Sequence, residues 1–340
     1  MAPVPEPSAP RSITVLAGGV GGSRFVRGVR QAWPEASITV IANTADDITL
    51  HGLRICPDID TMLYTLGGGI DPEKGWGRRE ETWSIAEEFT AYGAEPRWFG
   101  LGDRDIATHL VRTQLLGNGY SLSEVTQVLA DRWLAELPGV RVLPMTDDRV
   151  ETQVVITDPD TPAGQRAIHF QEYWVRHHAE PEVRQIVQLG IEDARPGPGV
   201  IEAITDSELV LLAPSNPVVS IGPILAVPGI RGAIGTTEAA VLGFSGILGG
   251  SPILGMAHKL LPAIGVEVSA AGVGAHYGAR SRTGILDGWL VDTADAATVD
   301  ELRAVGLPTL AHPLLMTDPE LTAQFVRAGA DFVTRNRPAA

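Results

Sequence analysis

Residues 13–33 read ITVLAGGVGGSRFVRGVRQAW, and this stretch decides the fold. Ile13–Ala17 is an unbroken apolar run of strand length, the pattern of a strand buried on both faces. Gly18-Gly19-Val20-Gly21-Gly22 is a turn, and Ser23–Trp33 carries helical spacing. Strand, glycine turn and helix together open a doubly wound α/β sheet. Working outward, Ile38–Ala42 (ITVIA) is a second buried strand ending in Asn43-Thr44-Ala45-Asp46-Asp47, and Leu209–Ala213 (LVLLA) repeats the pattern and ends in Pro214-Ser215-Asn216-Pro217. Further strands are expected over 284–291 and 307–310, and a closing helix over 321–328. Helical patterns cover 60–66, 80–92, 106–116 and 121–137, while 151–157 and 166–171 read as a strand pair. The expectation is a Rossmann-like, doubly wound, mostly parallel sheet with a helical and β-hairpin insertion. Residues 13–140 and 205–335 would form the core, 141–204 an inserted substrate-binding subdomain, and 1–12 a disordered tail.

Composition narrows the partners. The chain has 340 residues, with 26 Lys and Arg against 41 Asp and Glu, for a net charge of -15. A surface for nucleic acid or acidic membrane would have to work against that field. Cys56 is the single cysteine, so it has no intrachain disulfide partner and no second thiolate for zinc. The Pro- and Ala-rich opening, Met1–Pro10, lacks the basic start and apolar run of a signal peptide, and no stretch is long and apolar enough to span a bilayer. A cytoplasmic location is expected.

The glycine turn places backbone N–H groups near a helix N-terminus, a cradle for an anion. Arg24 stands where the dinucleotide fingerprint needs its last glycine, and the lysine of a P-loop is absent, which disfavours a nicotinamide enzyme and a P-loop kinase. The plainer alternative is a tight turn that packs helix on strand. Arg24 and Arg27, one helical turn apart, would reinforce an anion site. Asp46, Asp47, Asp58 and Asp60 cluster after the second strand. Hard oxygens of this kind suit Mg²⁺ held against phosphates; one could instead accept a proton from an attacking hydroxyl, or merely cap a helix. In Trp98–Asp105 (WFGLGDRD) either of Asp103 and Asp105 could cap the following helix, with Arg104 free for an anion. His109 could line a pocket, though a lone histidine is more often packing. Ser215 and Asn216 could read a base or a phosphate. His169, Gln171, Glu172, Trp174 and Arg176 lie on or just past a strand, where alternation aims some at one face. Adjacent His177 and His178 lack the spacing of a zinc pair and read as surface residues. There is no Gly-x-Ser-x-Gly elbow, so covalent catalysis is not expected.

Taken together, LAGGVGGSRF from Leu16, NTADD from Asn43, HGLRICPDIDTMLYTLGGGID from His51, FGLGDRDIATHL from Phe99, IHFQEYWV from Ile168, LLAPSNPVVSIGPIL from Leu211 and PLLMTD from Pro313 resemble the 2-phospho-L-lactate transferase family of coenzyme F420 biosynthesis, most closely its actinobacterial phosphoenolpyruvate transferase branch. The resemblance implies a Rossmann-like core that uses the deazaflavin Fo, a GDP-linked phosphoenolpyruvate or 2-phospholactate, and Mg²⁺, releasing GMP. It implies Asp46 and Asp60 as metal ligands, with Asp47 as their partner or as base for the Fo hydroxyl. Gly18, Gly19, Gly21, Gly22 and Ser23 would border the diphosphate, Ser215 and Asn216 the guanosine, and Thr44, His51 and Trp83 the deazaflavin. Arg24, Asn43, Asp103 and Arg104 complete the expected binding set. Ala45 stands where many members have glycine, and the N-terminal extension has no evident counterpart. A homodimer acting on small molecules is expected. Competing classes are a nucleotide-sensing regulatory protein and a nicotinamide-dependent dehydrogenase on the same core.

Overall fold

The structure, a computed structural model, describes residues 9–253 and 255–336. β1 (Ser12–Ala17) runs into α1 (Gly19–Ala32) and returns as β2 (Ser37–Ala42). A hairpin of β3 (Ile48–Leu50) and β4 (Leu53–Ile55) leads through α2 (Pro57–Leu66), α3 (Ser84–Ala91), α4 (Asp103–Gly117) and α5 (Leu122–Trp133) to β5 (Val140–Pro144). The strands β6 (Glu151–Thr157), β7 (Gln165–His169) and β8 (Val183–Leu189) follow, then α6 (Val200–Thr205) and β9 (Leu209–Leu212). The last third holds α7 (Ile221–Ala226), α8 (Ile230–Thr236), β10 (Ala240–Phe244), the short pair β11 (Ile247–Leu248) and β12 (Ser251–Pro252), α9 (Ala257–Leu260), α10 (Ala270–Tyr277), β13 (Gly288–Val291), α11 (Val299–Ala304), β14 (Thr309–Ala311) and α12 (Pro319–Asn336).

Seven strands form one sheet in the order β14-β13-β10-β9-β1-β2-β5, with every pairing parallel. β1 sits between β2 and β9, so the chain winds one way from β1 and later the other way. The crevice at the carboxyl ends of β1 and β9 is therefore the topological switch point. Along β1 the side chains alternate between two cores. Val15 and Ala17 join Phe25, Val26 and Phe325 on one face, and Leu16 joins the cluster beneath α7 and α8 on the other. α1 and α12 approach closely at Gly28, where an added Cβ would stand 2.1 Å from Thr322 Cγ2. Phe25 packs on Phe244 at 4.8 Å between ring centroids. Such burial holds the glycine turn at its place over the strand ends.

Several expected boundaries move. The tail expected over 1–12 lies outside the described residues as far as residue 8; Arg11 donates its backbone N–H to Glu208 at 2.8 Å, and Ser12 already opens β1. β5 pairs with β2 along its length, so the core runs through Pro144 and the division expected at 141 cuts a strand. The insertion is a three-stranded antiparallel sheet, β7-β6-β8, rather than a strand pair. α3 begins at Ser84 rather than 80 because Asp103 caps it there, taking the amides of Ser84 and Ile85 at 3.1 and 2.9 Å. No helix among the described residues is long and apolar enough to cross a membrane.

Candidate active site

The site gathers where β1, β2 and β9 end. Asn43, the residue after β2, is fully buried, and its side-chain amide donates to Asp46 Oδ2 at 3.1 Å, to Asp58 Oδ2 at 2.9 Å and to the Val219 carbonyl at 3.1 Å. One amide thus joins two carboxylates from different elements. Burial, and then the neighbouring charge of Asp58, hold the Asp46 carboxyl well above the usual aspartate range. Burial pushes Asp58 up to about 7, against the hydrogen bond from Asn43. Asp47 turns away to Arg54, whose Nη2 lies 3.0 Å from Oδ2; burial still outweighs that pair and pushes Asp47 up to about 6. Oδ1 of Asp46 and Oδ1 of Asp47 are buried without a hydrogen-bond partner among the described residues. Buried acceptors crowded in this way favour a cation.

The glycine turn stands against this acidic pair. A Cβ on Gly18 would meet Asp58 Oδ2 at 2.5 Å and Ser220 Cβ at 2.8 Å, and Gly19 has φ +64°. Gly18 is therefore required by the protein's own carboxylate, a reason different from open access for a ligand. The Ser215 hydroxyl donates to the Gly18 carbonyl at 2.8 Å and accepts its N–H at 3.2 Å, tying the end of β9 to the end of β1. Asn216 Oδ1 accepts from the amides of Val218 and Val219 at 2.9 and 3.3 Å. The Ser215 hydroxyl and the Asn216 side-chain oxygen, from the two residues expected to contact guanosine, are thus engaged within the crevice floor.

On the other side of the turn opens a cavity of about 470 Å³, lined by Val20, Gly21, Arg24 and Arg27 of α1, by Ser245 after β10, and by the 314–319 segment ahead of and into α12. Arg24 and Arg27 make no ion pair among the described residues, although acids outnumber bases in the chain. A cavity of this size, with mixed apolar and polar walls, two unpaired guanidinium groups and Asp71 and Asp318 also on its lining, has room for a ligand carrying a ring and cations to meet an anionic part of it.

The family model for 2-phospho-L-lactate transferase CofD matches residues 13–315. The chain belongs to that family. It is a transferase of the kind that serves coenzyme F420 biosynthesis. Among relatives, it is 57% identical over 325 residues to a phosphoenolpyruvate transferase of Nocardia farcinica, covering 96% of each chain. It is 56% identical to that of Streptomyces griseus, covering 96% of this chain and 99% of the other, and 55% identical to that of Mycolicibacterium smegmatis, covering 94% and 98%. In fold it matches crystal structures of a UPF0052 family protein from Bacillus halodurans, with a TM-score of 0.61 at 16% and 18% identity, covering 94% and 95% of this chain and 100% of that one. At that identity the likeness speaks for the fold.

Within this family framework, the expected residues separate into groups. Gly18, Gly19, Gly21, Gly22, Ser23, Asn43, Thr44, Asp46 and Asp47 lie at the ends of β1 and β2. Asp60 was expected to hold metal with Asp46, but both its oxygens are taken by Arg112, and Asp58 is the acid that meets Asp46. Asp103 caps α3, the helix before it, through Thr82 Oγ1 at 2.7 Å and two amides. Arg104 is half exposed with Glu80 at 3.7 Å. These two residues join helices. His51 stacks on Phe89 at 4.4 Å and meets the Pro96 carbonyl at 3.1 Å, while Trp83, preceding the other end of α3, has Lys74 Nζ at 5.0 Å over its ring. His51 and Trp83 thus stand at opposite ends of one helix. His109, for which packing is the commoner role of a lone histidine, is buried in the Asp60–Arg112 cluster. Sequence reasoning missed Arg54 and Arg112, and it did not see that Asp58 is the inward member of its pair.

Proposed function

We propose that the chain moves the phosphoenolpyruvate moiety of a GDP-linked donor to the terminal ribityl hydroxyl of the deazaflavin Fo, with GMP leaving and dehydro-F420-0 forming. A lactate-bearing donor would give F420-0. The observation that carries this reading is the placing of the α1 turn between the Asp46–Asp58 pair and the cavity lined by Arg24 and Arg27. A diphosphate bridge laid across that turn would have guanidinium groups on its nucleotide side and an acidic, cation-seeking pair on its other side. The names of the relatives at 55–57% identity favour phosphoenolpyruvate over 2-phospholactate.

The residues present fit Mg²⁺. Among the described residues no group of three or more His, Cys, Asp or Glu could enclose an ion alone. Mg²⁺ commonly takes one or two carboxylates and completes its shell with water and substrate phosphate. Asp46 and Asp58 would hold it, and bound there it would offset charge on the phosphoryl oxygens. Arg24 and Arg27 bind and orient the donor. Asp47, fixed by Arg54 through one oxygen and leaving the other without a partner, accepts the proton of the attacking hydroxyl. The same reading takes the molecule as a cytoplasmic homodimer.

The test mixes protein, Mg²⁺, Fo and each guanylylated acid, and follows GMP together with the mass of the deazaflavin product. Arg24→Ala with Arg27→Ala should weaken donor binding by about 10- to 100-fold. Guanine nucleotide bound tightly with no deazaflavin product formed would defeat the transferase reading in favour of a nucleotide sensor.

A further inference from the structure

The acidic turn after β2 makes its backbone contacts with the inserted sheet in an ordered series. Three consecutive carbonyls, those of Ala45, Asp46 and Asp47, each accept from a residue of that insertion. Thr152 N donates to Ala45 O at 2.7 Å, Gln171 Nε2 to Asp46 O at 3.4 Å, and His169 Nε2 to Asp47 O at 3.2 Å. The imidazole has its tautomer set by its own chain. Gln171 N donates to His169 Nδ1 at 3.1 Å, which leaves the hydrogen on Nε2, pointed at the Asp47 carbonyl. The site's own side secures the same turn through Asn43 Oδ1, which accepts Ala45 N at 3.0 Å, and through Arg54 on Asp47. With the carbonyls fixed on one side, the Asp46 carboxylate is directed to Asn43 and Asp58, and that of Asp47 to Arg54.

We infer that the inserted sheet is a clamp for the acidic turn, and that His169 and Gln171 are positioning residues that set where the Asp46 and Asp47 carboxylates stand. The inference rests on the proposed role of those carboxylates, but its central consequence, order in the turn, is readable without turnover. It gives the HFQ part of the IHFQEYWV string a mechanical role in the site, through backbone carbonyls. Such outer partners commonly govern metal affinity about tenfold or more when removed.

The variants are His169→Phe, which keeps an aromatic ring but no donor, His169→Gln, whose amide nitrogen can stand near the place of Nε2, and Gln171→Met. Amide hydrogen exchange over residues 44–48 is read in the full-length, ligand-free protein, and Mn²⁺ binding in the presence of GDP is read by calorimetry. His169→Phe and Gln171→Met should raise exchange confined to that turn and weaken Mn²⁺ by about five- to tenfold, with GDP affinity in the absence of metal unchanged. His169→Gln should stay near wild type in both. Wild-type exchange in His169→Phe would overturn the inference, as would equal impairment in His169→Gln. An exchange increase spread equally over β1 and β9 would also overturn it, since that reports lost stability alone. A wild-type protein that binds no Mn²⁺ with GDP would defeat the proposed function, while the exchange comparison would still decide whether the clamp exists.

Discussion

Asp58 and Asp60 lie two residues apart on α2 and do opposite work. Two residues of an α-helix turn through about 200°, so their side chains cannot share a face. Asp58 faces Asn43 and Asp46, while Asp60 faces Arg112, which is fully buried and also bonds the Arg54 carbonyl at 3.3 Å. Asp60→Asn should therefore lower stability, by about 3–5 kcal/mol in urea unfolding, because it strands a buried guanidinium. Asp58→Asn should instead leave the unfolding midpoint unchanged or raised, since it removes a like charge beside Asp46, and cut turnover by about 100-fold or more. Two variants with the same loss of both stability and turnover would show that the assignment is wrong. The four acids were legible in the sequence as a cluster. Their directions were not, because the helix expected from residue 60 in fact starts at Pro57, and the phase of a helix follows from where it begins.

At the scale of elements, α4 shows how a conspicuous string can be structural. Asp105, His109 and Arg112 are spaced i, i+4 and i+7, one face of a helix, and that face is buried against α2. Arg112 Nη1 donates to His109 Nδ1 at 3.1 Å, His109 Nε2 stands 3.5 Å from Asp105 Oδ2, and the Tyr64 hydroxyl donates to Asp105 Oδ1 at 2.7 Å. Burial alone would raise the Asp105 carboxyl; the neighbouring His109 imidazole, the hydrogen bond from Tyr64 and the charge of Arg112 win, and it lies below the usual range. A depressed carboxylate contributes stability that is present above its unfolded value, about 3.9, and is lost as pH falls through the folded value. Asp105→Asn should thus be less stable than wild type at neutral pH, and the gap in urea midpoint should close as pH drops below about 4. A gap that stays constant down to acid pH would contradict the linkage. β10 teaches the opposite lesson, since a central strand went unread. Its sequence, Ala240-Val-Leu-Gly-Phe244, is light in β-branched residues, and Gly243 is there because Trp289 packs on it, with an added Cβ 2.7 Å from the indole ring. Gly243→Ala should cost about 1–3 kcal/mol of stability by forcing that indole aside, measurable as a lower urea midpoint. Such a partner, 46 positions downstream, is invisible in a local window.

Across the whole molecule, the order of the sheet explains why distant segments meet. β1 and β2 supply the glycine turn and acids, β9 and β10 supply Ser215 and Ser245, and the insertion grips the acidic turn from outside the sheet. The buried ITVLA, ITVIA and LVLLA runs made that parallel core legible, because a strand covered on both faces must be apolar throughout. Which polar groups remain available was not legible, since the Ser215 hydroxyl and the Asp60 carboxylate are engaged by partners far along the chain. The same inventory bears on how the two substrates of the proposed reaction would meet. Cys56 is fully buried, and burial holds its thiol well above the usual range. The Ser23 hydroxyl donates to the Val20 carbonyl at 2.9 Å, and that of Ser215 donates to Gly18. No hydroxyl or thiol among these three is thus presented as an activated nucleophile, and the proposed reaction gives the nearby carboxylates to the metal and to the proton. On the proposed reaction, donor and acceptor are then bound together and transfer is direct. Initial rates with both substrates varied should give intersecting reciprocal plots, and GMP should not appear as a burst before Fo is added. Cys56→Ala should retain turnover within about threefold, the loss expected from a small packing defect. Parallel plots, or one equivalent of GMP released without acceptor, would require a covalent phosphoryl intermediate on a residue this arrangement leaves unexposed.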